Sequence, residues 1–139
     1  MAVCAGGSAL HSPSGGGLLY SQLLAEVPAG LRWLIPVIGG NDFYKKGHIV
    51  DFQDHWLAAV EELSCLATAK AESVLAVVGF SSKVWQYGKH MSRSQCELYD
   101  SHVRQLKESF EACCVPAISG ADEFVGGLGR SHWAYFCTG

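Results

Sequence analysis

The chain has 139 residues, 49% of them hydrophobic and 17% charged, with a formal net charge of −3. That length and balance predict one globular domain over residues 1–139 with enough apolar mass for a core, and a weakly negative chain offers no basic field to nucleic acid. No run approaches the ~18 apolar residues of a membrane span. Residues 1–10 lack the basic start and apolar stretch of a secretory signal, so an intracellular setting is the expectation.

In chain order, the turn-forming run at 12–17 (SPSGGG) leads into a short helix over 18–27 that Pro28 to Gly30 stops. Residues 31–38 (LRWLIPVI) form a nearly continuous apolar run closed by Gly39-Gly40, the pattern of a strand buried on both faces. Pro36 donates no ladder hydrogen bond and marks an edge position or a local irregularity. A helix follows over 51–69, with Phe52, Trp56, Val60, Leu63 and Ala67 at steps of three and four and Asp51 as its cap. Residues 73–79 (SVLAVVG) read as a second buried strand.

Residues 81–91 read as a loop. Ser92 or Ser94 then caps a helix reaching about Cys114, with Gln95 or Glu97 as the capping-box partner. Its stripe of Cys96, Tyr99, Val103, Leu106, Phe110 and Cys113 is the strongest periodic signal in the chain. A third strand at 115–119 (VPAIS) precedes a glycine-rich tail with Trp133, Tyr135 and Phe136. Helices alternating with apolar strands predict a three-layer α/β/α fold on a parallel sheet with right-handed crossovers. Ligands then sit beyond the carboxyl ends of the strands, at the loops after Ile38, Val78 and Ile118.

None of the six cysteines makes a C-x-x-C pair, and the chain is long enough to fold without disulfides. Cys65, Cys96 and Cys113 are read as reduced, buried small hydrophobes. His48, Asp51, Asp54 and His55 read as a helix cap with solvated neighbours, so no metal is expected. Lys45 and Lys46, with Lys83, Lys89 and His90, read as a solvated rim. Phe80, Trp85 and Tyr87 line a cleft or cover the sheet end. No cofactor is implied.

The loop Gly39-Gly40-Asn41-Asp42 reads in two ways. Its residues make a good turn, and its glycines and asparagine can cradle an anionic oxygen. An apolar strand ending in GGND, a glycine cluster at 15–17 leading into a helix, and Gly-Arg-Ser-His at 129–132 together resemble the SGNH (GDSL-type) hydrolase family. The resemblance spans the chain from Gly15 onward, and GGND is its one specific motif. It implies a flavodoxin-like sheet and hydrolysis of a small-molecule ester. Asn41 and an amide of Gly15, Gly16 or Gly17 would form the oxyanion hole, and His132 would be the catalytic base.

The chain departs from the family pattern twice. The family's nucleophile is a serine in Gly-Asp-Ser after the first strand. Here Gly6-Gly7-Ser8 is the look-alike, without the aspartate and with too few residues before Gly15 for the usual helix and strand, so the first strand and its serine block are expected to be missing. Gly129 stands where the family has its triad aspartate, and Asp122 or Glu123 are the candidates to replace it. Two rival readings stand beside the hydrolase. One is a non-catalytic α/β binding module that keeps the cleft. The other is an inactive remnant of a mobile-element-encoded hydrolase, with an open sheet edge.

Overall fold

The structure, a computed structural model, describes residues 10, 20–45, 48–79 and 92–119. Its elements run α1 (Tyr20–Glu26), β1 (Leu31–Leu34), β2 (Val37–Ile38), α2 (Gly40–Phe43), β3 (Tyr44–Lys45), β4 (His48–Ile49), α3 (His55–Lys70), β5 (Ala71–Val74), β6 (Ala76–Val78), α4 (Arg93–Ala112) and β7 (Ala117–Ser119). Helices and parallel strands alternate, so the fold is α/β, as the order of apolar segments predicts.

The run at 31–38 is one strand path in two pieces. β1 pairs in parallel with β5 and β2 with β6, and β6 pairs in parallel with β7. Between the pieces the Leu75 N–H donates to Leu34 O (3.1 Å) and the Val77 N–H to Pro36 O (2.9 Å). Pro36 thus serves the ladder as an acceptor, which its missing N–H allows. Among the described residues β1 and β2 lie at the sheet edge, where a proline is tolerated. The Val37 N–H donates instead to the Tyr20 hydroxyl (3.1 Å), so α1 satisfies a backbone donor of that strand.

The core takes alternate sheet positions. Ile38, Val74, Ala76, Val78 and Ala117 join one buried cluster with Leu24 of α1, Trp56, Val60, Leu63 and Ala67 of α3, and Tyr99, Val103, Leu106 and Phe110 of α4. Neighbouring strand positions point to the opposite face, where Trp33 and Ile35 stay 61% and 52% exposed.

The helix over 51–69 starts later than its sequence pattern predicts. It begins at His55, and Asp54 occupies the N-cap in helical geometry without a side-chain cap bond. Asp51 therefore does not cap it. Phe52 lies ahead of the helix but still packs beside Trp56, its ring centroid 5.3 Å away. Cys65 is a second correction. It is exposed on α3, while Cys96 is buried and Cys113 half-buried. At the other end of α3, Lys70 Nζ donates to the carbonyls of Ala25 (3.1 Å), in the last turn of α1, and of Val27, just beyond it. A cation there satisfies carbonyls that no helical N–H can reach.

Ser92 caps α4 as its sequence predicts. Its hydroxyl accepts from the Gln95 N–H (3.2 Å) and its own N–H donates to Gln95 Oε1 (2.8 Å), a complete capping box. Ser92→Ala is expected to cost about 1 kcal/mol of unfolding free energy, read by urea denaturation. A loss below ~0.2 kcal/mol would mean that packing alone holds this helix end. No helix among the described residues is long and apolar enough to cross a membrane.

Candidate functional site

Parallel pairing brings the strand ends together. Ile38 is in register with Val78, and Val78 with Ser119. The chain therefore leaves the sheet along one edge after each strand, where open α/β sheets place their ligands. The Gly39–Asp42 turn stands at that edge.

Two glycines make the turn geometry. Gly39 has φ +108° and Gly79 φ +64°, and the Gly79 N–H donates to Ile38 O (2.6 Å). A Cβ on Gly39 would lie 3.0 Å from Leu106 Cδ2 and 3.2 Å from the Gly79 nitrogen. The two turns therefore sit against each other and against α4, with no room for a side chain between them.

The residues after Gly39 form one helical turn, α2, and not the irregular loop expected from the sequence. α2 runs directly into an antiparallel β3–β4 hairpin, with Tyr44 opposite Ile49 and Lys45 opposite His48. The Val50 N–H donates to the Phe43 carbonyl (2.7 Å), which closes the hairpin back onto α2. Asn41 lies on α2.

Phe43 anchors this turn. It is fully buried, with ring centroids 5.0 Å from Trp56 and 6.1 Å from Tyr99 in edge-to-face geometry. His102 of α4 (5.4 Å) and Phe52 (6.3 Å) complete the surround. Such edge-to-face pairs add about 0.5–1.5 kcal/mol each beyond burial.

Asp42 is also fully buried, and its Oδ1 accepts the Leu10 N–H at 2.8 Å. Leu10 is itself 5% exposed and part of the core cluster. A buried carboxylate needs donors, and here one comes from the N-terminal segment.

Asn41 is the one candidate catalytic residue whose backbone the structure describes. Ser8, Gly15, Gly16, Gly17, Asp122, Glu123 and His132 lie outside the described residues, as do Lys83, Trp85, Tyr87, Lys89 and His90. Of the polar group at 48–55, Asp51, Asp54 and His55 are exposed. The described residues contain no group of three or more His, Cys, Asp or Glu side chains able to hold a metal ion.

Three residues of this region escaped the sequence reading. Phe43 lay inside a motif read for its polar atoms. Leu10 carries no local signal, because its contact is 32 positions away. His102 was legible: it stands three residues after Tyr99 and four before Phe110's predecessor Leu106, on the buried stripe of α4. It is 4% exposed. Burial lowers its pKa below the ordinary 6.5, and the charge of Asp51 opposes that shift.

No protein-family model matches the chain, and no curated protein matches it. A solved structure is similar to it, with a TM-score of 0.61 and 16% identity over 84% of this chain. At that identity the likeness concerns the fold alone. The chain spans about 58% of the length of that structure. Fold and strand-end geometry together define an α/β protein with a parallel sheet and a glycine-framed turn at its carboxyl edge.

Proposed function

We propose that this chain is an SGNH-hydrolase-like domain whose reaction is ester hydrolysis at the Gly39–Asp42 turn. In this reading Ser8, the look-alike serine standing in for the family's missing serine block, attacks the ester carbonyl and His132 takes its proton. Asn41 and a Gly15–Gly17 amide hold the developing oxyanion, and Asp122 orients His132. An acyl-enzyme forms as the alcohol leaves, and water then releases the acid.

One observation carries the proposal. The Leu10 N–H is bonded to Asp42, the residue next to Asn41. Ser8 stands two positions before Leu10, and two residues of chain reach at most ~7 Å. A chain that short supports the choice of Ser8, the serine of Gly-Gly-Ser in the N-terminal segment, as the nucleophile of this reading. The register of β7 supports the same reading, because the chain leading to His132 departs from Ser119 at the edge where the turn lies.

The test is hydrolysis of a short-chain aryl ester by the full chain and three variants. Ser8→Ala and His132→Ala are expected to reduce turnover to near background. Asn41→Ala should cost about 10²–10³-fold in kcat, the usual effect of removing one oxyanion donor. Turnover that survives Ser8→Ala would remove Ser8 as nucleophile. A parent chain with no turnover on any such ester would leave the non-catalytic binding module as the better reading.

A further inference from the structure

His102 lies directly behind the turn that carries Asn41. Its ring is 5.4 Å from Phe43 and 6.0 Å from Phe52, tilted by 42° and 44°. Phe43 is two residues from Asn41 on the same single helical turn. The imidazole Nδ1 meets Gln105 Nε2 at 3.3 Å. An amide NH₂ can only donate, so in this arrangement Nδ1 accepts and Nε2 carries the proton. That Nε2 is buried and has no hydrogen-bond partner among the described residues.

The site is thus built for a neutral ring. A second proton would go onto Nδ1, where it would confront the Gln105 NH₂. The resulting cation would be enclosed by two phenyl rings and left with one unpartnered N–H. A buried charge without pairing costs several kcal/mol, and proteins relieve that cost by opening to water. The charged group whose field reaches the ring is Asp51, exposed on the segment ahead of α3. Asp42, on α2, already accepts from Leu10. β4, which also packs on α4, carries His48.

We propose that His102 is a positioning residue for the Asn41 turn, that it acts only as the neutral imidazole, and that its protonation releases Phe43 and with it the turn. The proposal deepens the hydrolase reading, because it assigns a regulation to that site. The sign follows from linkage. Folded His102 holds its proton less tightly than the unfolded chain does, so its contribution is complete above pH 6.5 and falls as pH drops through 6.5 toward the lower folded value. Acid opens the turn, and neutral pH closes it.

The Val50 amide reports the turn independently of catalysis, because it donates to the Phe43 carbonyl. Hydrogen exchange of the full chain, corrected for intrinsic rates, is expected to show Val50 protection steady from pH 8 to 7. From pH 6.5 down to the folded His102 pKa, read from its imidazole NMR titration, protection should fall by up to about tenfold per pH unit, the slope of one proton, and level off below it.

His102→Phe keeps an aromatic ring without the titration and should flatten this dependence. Asp51→Asn changes an exposed side chain and removes the opposing charge, so it should lower the folded His102 pKa and extend the fall in protection to lower pH even if His102→Phe fails to fold. Val50 protection that follows the same pH curve in the parent and in both variants overturns the proposal. A pH-dependent turn in a chain without esterase activity would leave this inference standing and defeat the hydrolase reading. Esterase activity beside a pH-independent turn would do the reverse.

Discussion

Phe43→Ala is expected to lower the unfolding free energy by about 3–5 kcal/mol, the usual range for truncating a buried phenyl ring. Phe43 is 0% exposed and is the meeting point of four elements or segments: Trp56 of α3, Tyr99 and His102 of α4, Phe52, and the β3–β4 hairpin that α2 runs into. The aromatic rings around it cannot collapse into the space without giving up their own contacts, so the upper half of the range is expected. Chemical denaturation measures the loss. Because a small domain has only about 5–15 kcal/mol in total, the variant should also melt well below the parent. A loss under ~1 kcal/mol would mean that the turn is held by its polar contacts, and His102 could then not act on it through Phe43.

Gly79→Ala is expected to cost about 2–5 kcal/mol through two separable causes. The position has φ +64°, a left-handed conformation that costs an L residue roughly 1–2 kcal/mol. In addition, the new methyl would lie 2.5 Å from Val103 Cγ2 and 3.2 Å from the Tyr99 hydroxyl, in a fully buried part of α4. Overpacking of that kind costs about 1–3 kcal/mol. A double-mutant cycle with Val103→Ala separates the causes. The clash should disappear from the double variant and leave the backbone strain, giving a favourable coupling of about 1–3 kcal/mol. Strict additivity would show that the methyl finds room elsewhere, with conformation as the whole effect.

The same positions explain why the site was only partly legible in advance. The GGND motif, the glycine that closes each strand and the capping box at Ser92 are local, and short-range chemistry specifies them. Asp51 misled as a helix cap because two acidic residues, Asp51 and Asp54, precede α3 and propensity cannot choose between them. Cys65 misled because its flanking apolar positions suggested burial, while the helix faced its neighbour along Ser64 instead. Asp42 looked like a turn residue, and its buried bond to Leu10 depends on a contact that no window of sequence contains.

By itself, the sequence determined the α/β class, the strand paths, the buried stripe of α4 and the turn at 39–42, because hydrophobic periodicity, glycine and capping chemistry act over a few residues. Only the tertiary structure decided that Leu10 meets Asp42, that Phe43 and not a polar atom anchors the turn, and that His102 is shut in behind it. Those facts rest on contacts between residues 9 to 59 positions apart, whose energies come from burial and packing across elements and leave no trace in local pattern.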